Sequence, residues 1–222
     1  MDQSIKSIEP QKLIIYTIAT IITLACFNMA LFMEPGLASS NLTIAERMQF
    51  VADNKALWQL SWATWMVAAL GLLTFCYLLY SHLPQHPAKL FGLLCVAIGI
   101  APDLCAEAIF AFVLPNNQSL NINADTYMQL ETLAMLFTGG IGNGMYNIGG
   151  LILNIILLQT NTLPRWVALV GIPAWLFGIG LTIATFLLAI DTAKIFTAVA
   201  MVWSTAWMVL FAHFAYPEKR AN

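Results

Sequence analysis

Lys89 to Leu114 reads KLFGLLCVAIGIAPDLCAEAIFAFVL. Crossing the ~30 Å hydrocarbon layer of a bilayer takes about 20 helical residues, and this run is longer than that. Its apolar character is interrupted only by Asp103 and Glu107, one helical turn apart and directly after Pro102. A carboxylate at membrane depth is expensive. The run therefore reads as a membrane-spanning helix, and the pair as its chemical oddity.

The same length criterion, applied outward, predicts six spans at about residues 13–33, 56–80, 89–114, 128–158, 164–188 and 193–215. Backbone groups cannot be left unpaired in lipid, and no segment alternates as a barrel strand would, so all six are expected to be helices. The expected fold class is all-α: a polytopic six-transmembrane-helix bundle forming a single transmembrane helical domain over residues 1–222. Composition agrees. The chain is 60% hydrophobic and 9% charged, with a mean hydropathy of +0.78, whereas an ordinary soluble domain is roughly 25% charged. A net charge of −2 and the lack of any Lys/Arg cluster leave no basis for nucleic acid as a partner. The expected partners are the lipid bilayer and other membrane-protein subunits.

Lys6 and Lys12 precede a first apolar run too long for the usual core of a cleaved signal, so it is expected to stay as a span. With the N-terminus inside, Lys6, Lys12, Lys89, Arg165, Lys219 and Arg220 face the cytoplasm, against Arg47, Lys55 and Lys194 outside. That bias predicts cytoplasmic N- and C-termini in a multi-pass protein of a cell membrane, with a bacterial inner membrane as the expected setting. The longest connection, Glu34 to Lys55, is then an outer loop. In it Thr43 and Glu46 form a capping-box pattern, and Ile44, Met48 and Val51 share one face, which predicts a short amphipathic helix on the outer surface. Asn41-Leu-Thr and Asn117-Gln-Ser are glycosylation sequons in outward loops.

On this topology Asp103 and Glu107 lie in the outer half of the third span. Glu131, about one turn into the fourth, is expected at similar depth. Three carboxylates in one low-dielectric layer repel unless protonated or countered, and no intramembrane Lys or Arg is expected as their partner. Protons, a bound cation or entering water remain. Pro102 adds the freed carbonyl of Ile98 to the oxygens near Asp103.

The fourth span carries Gly139, Gly140, Gly142 and Gly144, with Asn143, Asn147, Gly150 and Asn154 along one stripe and Glu131, Thr138 and Gly142 along a second. A helix polar on one side and glycine-rich at its centre is expected to face the bundle interior. Gly140 and Gly144 have the Gly-x-x-x-Gly spacing of close helix packing, and an unwound segment lining a site is the alternative. Trp58, Trp62 and Trp65 crowd the outer half of the second span. Trp58 fits an interfacial belt, and Trp62 and Trp65 are candidates for a pocket wall. The candidate ligand or ion pocket is thus Asp103, Glu107, Glu131, Asn143, Asn147, Trp62 and Trp65.

No metal site and no cofactor is expected. Cys26, Cys76, Cys95 and Cys105 lie in apolar runs without Cys-x-x-Cys spacing and read as small buried hydrophobes, and Pro84 separates His82 from His86. No nucleophile elbow, phosphate loop or zinc-protease motif is present.

Ile44 to Asn54 leading into Trp58, and later Leu163-Pro164-Arg165-Trp166 before a glycine-containing span, resemble a family of uncharacterised small bacterial multi-helix integral membrane proteins. The resemblance covers less than half of the chain. It implies the topology and supplies no catalytic residue. The first functional expectation is a non-catalytic accessory or partner-binding subunit. The alternatives are a small transporter or sensor using an outward-facing acidic pocket for a proton, cation or small amphiphile, and a membrane-embedded lipid or isoprenoid enzyme with Asp103 or Glu107 as general acid.

Overall fold

The computed structural model describes residues 9–217; Lys6, Lys219 and Arg220, used for the orientation, lie outside them. The described residues form helices α1 (Pro10–Asn28), α2 (Ile44–Asp53), α3 (Lys55–His82), α4 (Pro87–Ala108), α5 (Ala124–Met135), α6 (Asn143–Thr160), α7 (Arg165–Phe186) and α8 (Ile190–Ala215), with no strand among them. Six helical stretches are long and apolar enough to cross a membrane: Pro10–Gly36, Lys55–His82, Pro87–Asn116, Ala124–Thr160, Arg165–Phe186 and Ile190–Ala215. This is a multi-pass membrane protein.

The long helices close into a ring in chain order. α1 packs on α3, α3 on α4, α4 on α6, α6 on α7, α7 on α8, and α8 returns to α1. Three stretches widen into π-helical turns, Met29–Met33, Ile109–Val113 and Leu136–Gly142. The last contains the glycine-rich centre of the fourth span, so that span is widened and continuous, without an unwound segment.

Helices in lipid gain little from apolar transfer and associate by packing, which favours small residues at the contact. The contact of α4 with α6 shows this. A Cβ on Gly99 would meet the Gly142 carbonyl oxygen at 2.7 Å and the Tyr146 nitrogen at 2.9 Å, and one on Gly92 would meet the Gly149 oxygen at 3.1 Å. Seven residues separate the glycines on both helices. This antiparallel register carries Asp103 opposite Gly142 and Thr138: the Asp103 Cβ lies 3.1 Å from where a Cβ on Gly142 would stand. Gly140 and Gly144 instead face Phe186 and Thr182 of α7.

α7 is fastened from both sides around its internal Pro173. Trp207 donates to the Val167 carbonyl at 2.9 Å, Asn154 to Ala168 at 2.9 Å and Trp203 to Val170 at 2.7 Å. A proline removes one donor from the helical ladder, and side chains of the neighbouring helices hydrogen-bond to carbonyls beside it.

Two apolar cores stack along the bundle. The first includes Ile15, Phe75, Leu79, Val96, Ile100, Tyr146, Leu153, Trp207 and Phe211. Phe75 meets Trp207 and Phe211 edge-on at 5.4 and 5.6 Å, contacts worth about 0.5–1.5 kcal/mol each. The second, at the α2 end, includes Met33, Val51, Trp58, Trp62, Ala106, Phe110, Leu114, Tyr127 and Ala134. Phe186, at the end of α7, packs beside Gly140. α5 continues about 13 Å past that level to Glu131, at ~1.5 Å per residue, so the second core is built largely beyond the α7–α8 turn.

The cysteines divide: Cys76 and Cys95 are buried, Cys26 is half-buried and Cys105 is exposed on the bundle surface, which corrects the expectation that all four are buried. Asn117 is buried and its amide donates to the Met48 carbonyl at 3.1 Å, so its sequon is closed to modification. α2 has both capping-box bonds, Thr43 N to Glu46 Oε2 at 2.8 Å and Glu46 N to Thr43 Oγ1 at 3.4 Å.

Gly99→Ala is expected to destabilise the protein by about 1–3 kcal/mol, because backbone on the facing helix cannot give way, whereas Gly71→Ala, whose nearest neighbour is the Ile18 side chain at 3.2 Å, costs little. Thermal unfolding in detergent measures the difference. The Thr43 hydroxyl, and then its backbone N–H, hold the exposed Glu46 carboxyl below its ordinary value. A depressed carboxyl contributes stability that is full at neutral pH and is lost as pH falls through the folded value. A spin label at Ala45 should therefore become mobile on acidification, and Glu46→Gln should remove that pH dependence.

Candidate functional site

Asp103 stands on the face of α4 that α6 approaches, between Ile100 of the first core and Ala106 of the second. Thr138 donates its hydroxyl hydrogen to Asp103 Oδ1 across this contact. Glu107 follows one turn along α4. Asp103 is 6% exposed and Glu107 2%. Glu107 Oε2 is buried and has no hydrogen-bond partner among the described residues. Glu107 lies within Coulombic reach of Asp103, and Tyr146 of α6 within reach of both.

Glu131 belongs to a separate group. Arg47 of α2 is buried and its guanidinium lies 2.5 Å from Glu131 Oε1, an ion pair between side chains 10% and 5% exposed. Tyr127 feels both charges. This corrects two expectations. Glu131 has a cationic partner, and it lies seven residues, about 10 Å, beyond the Thr138 level instead of sharing one layer with Asp103. Arg47, read as an outward-facing loop charge, turns inward with Ile44, Met48 and Val51, because spacings of three and four put all of them on one helical face. Among the described residues no group of three or more His, Cys, Asp or Glu side chains is placed to hold a metal ion.

The asparagine stripe faces away from the carboxyl pair, onto α7. Asn143 Nδ2 donates to the Gly178 carbonyl at 2.5 Å and to Thr182 Oγ1 at 2.9 Å, and Asn147 Nδ2 donates to the Asn143 carbonyl at 2.7 Å. Thr182 in turn donates to the Gly139 carbonyl at 3.2 Å. A Cβ on Gly178 would collide with the Asn147 amide, so that glycine makes room for it.

Trp62 and Trp65 flank the site from α3. Trp62 stacks on Phe110, in the π-helical turn that follows α4, with ring centroids 4.3 Å apart and planes 4° from parallel. Trp58 donates to the Phe110 carbonyl at 2.7 Å. In the π-helical turn that carbonyl would look to residue 115, a proline with no N–H to give. Trp65 packs against both cores, and the indole nitrogens of Trp62 and Trp65 are buried without partners.

Of the seven candidates, Asp103 and Glu107 interact with each other, Trp62 packs on Phe110 and Trp65 against both cores, Glu131 is drawn off by Arg47, and Asn143 and Asn147 serve the α6–α7 contact. Tyr146, Arg47, Gly92 and Gly99 were not read as functional from the sequence. For Arg47 the helical spacing carried the signal. For the two glycines the local sequence does not distinguish a contact face from any other glycine in a span. No protein-family model, no curated protein and no solved structure matches the chain.

Removing one partner of a buried ion pair strands the other charge. Arg47→Ala is expected to cost about 3 kcal/mol of stability or more, and the double substitution Arg47→Ala/Glu131→Ala less than the sum of the single ones. A double-mutant cycle by chemical unfolding tests it; a cost below about 1 kcal/mol would mean that the pair behaves as a solvated surface bridge.

Proposed function

We propose that this chain is an ion-responsive membrane protein, a sensor or small transporter, in which Asp103 and Glu107 bind a proton or another small cation. The observation that carries the reading is the buried Glu107 oxygen without a partner beside Asp103, while the neighbouring guanidinium, Arg47, is committed to Glu131. Two carboxyl groups at this separation in a low-dielectric site cannot both stay ionised without a counter-charge, so binding of a positive ion is the chemistry the pair is suited to. With the Lys/Arg bias of the sequence, the α2 end faces outward and the pair is loaded from the outer side.

A second reading, a non-catalytic accessory subunit, is supported by the asparagine stripe, whose side chains are spent on holding α6 to α7. In that case Asp103 and Glu107 serve helix packing, and the protein copurifies with a larger complex.

Proteoliposomes under an imposed pH or cation gradient distinguish the two. Glu107→Gln and Asp103→Asn, both close in shape to the native side chains, are expected to lower ion uptake, or the ion-dependent conformational signal, at least about tenfold, equivalent to ~1.4 kcal/mol. Uptake and signal that survive both substitutions would sink the ion-binding reading.

A further inference from the structure

Five polar side-chain atoms in or beside the second core have no partner among the described residues: Ser61 Oγ, Trp62 Nε1, Trp65 Nε1, Glu107 Oε2 and Tyr127 Oη. Ser61, Trp62, Glu107 and Tyr127 are 1%, 5%, 2% and 0% exposed. A buried polar group left unsatisfied costs about 1–3 kcal/mol, and in folded proteins such groups are satisfied by ordered water when the protein does not supply a partner. Four of them can be located along the bundle, and Ser61 precedes Trp62 on α3. Tyr127 lies near the Arg47–Glu131 pair, Trp62 is stacked on Phe110, Glu107 sits one turn below Phe110, and Trp65 reaches the first core.

Their chemistry discriminates between ions. An indole N–H only donates, a hydroxyl donates and accepts, and an ionised carboxyl only accepts. A hard metal cation requires a shell of oxygen ligands, about six or more, and two indole hydrogens present it with partial positive charge. Water accepts from both indoles, donates to the carboxyl and pairs with the two hydroxyls in either sense, and so suits all five groups.

Resting on the reading of Asp103 and Glu107 as an ion-binding pair, we propose that the ion is a proton, delivered to Glu107 along bound water held by the orphaned groups of Tyr127, Trp62, Ser61 and Trp65. In the loading step a hydronium ion at the α2 end releases its proton. Each water passes one on, and an O–H bond forms at Glu107 Oε2 as the O–H bond of the last water breaks. No electron is transferred. The groups that bear on Glu107 are Asp103 on its own helix and Tyr146 on α6, while Tyr127 and Glu131 of α5 interact with Arg47 of α2 as a separate group toward the α2 end. α3 faces the site with tryptophans, which do not titrate.

The test uses the full chain in nanodiscs, following indole fluorescence during pH titration in sodium, potassium, magnesium or choline chloride at equal ionic strength. The expected result is a titration with the same midpoint in all four salts, abolished in Glu107→Gln. Trp62→Phe keeps the ring stack without the N–H, and Tyr127→Phe removes only the hydroxyl; each should slow proton uptake after a pH jump about fivefold. A midpoint that moves with sodium, potassium or magnesium would overturn the proton assignment and leave the ion-binding pair standing. A flat response to both pH and salt would overturn both. Should Glu107→Gln fail to fold, judged by size-exclusion chromatography, the four-salt comparison on the unaltered protein decides alone.

Discussion

The backbone of α4 meets the backbone of α6 at Gly92 with Gly149 and at Gly99 with Gly142, closer than any side chain would allow. Because the two glycine spacings match, the helices have one register in which both contacts form. That register carries Asp103 to Thr138 and leaves Glu107 one turn farther on, among the residues of the second core. The position of the carboxyl pair is thus a consequence of where the side chains are missing. Packing of this kind is the main source of specificity for helices in lipid, where apolar side chains do not distinguish a neighbour from the bilayer.

The same height of the bundle holds a cluster of interior hydrogen-bonding side chains. Asp103, Thr138, Asn143 and Thr182 lie between a first core closed by aromatic contacts of α3 and α8 and a second core sealed by Trp58, Trp62 and Phe110. On the α7 side the amides of Asn143 and Asn147 reach carbonyls or a hydroxyl, while Asn154 Oδ1 and Trp175 Nε1 have no partner among the described residues. On the α3 side the indoles and Glu107 Oε2 are not satisfied by protein. The two sides differ in kind: the unpartnered groups on the α3 side include a carboxyl oxygen, the one group there that can take up a positive ion, and the proposed ion-binding role rests on that difference.

Much of this was legible in the sequence, and the limits are physical. Six spans followed from length and hydropathy: the fifth, expected over residues 164–188, is Arg165–Phe186. The burial of Asp103 and Glu107 followed from the run that contains them. The asparagine stripe was visible as a stripe, since periodicity tells which residues share a face. It does not tell which helix that face meets, and so Asn143 and Asn147 were grouped with carboxylates that they do not touch. Arg47 shows the reverse case. Its spacing from Ile44 and Val51 placed it on the buried face, but its charge read as a solvent residue because Glu131, its partner, lies 84 positions away. Pairing across such a distance is set by tertiary register alone.

On the proposed reading, Asp103 and Glu107, set between two cores with no cation beside them among the described residues, share a bound proton. Infrared difference spectroscopy of the reconstituted protein tests it directly through the C=O stretch of a protonated carboxyl group. Such a band is expected, absent in Glu107→Gln and shifted in Asp103→Asn. A spectrum showing only ionised carboxylates, unchanged by either substitution, would contradict it.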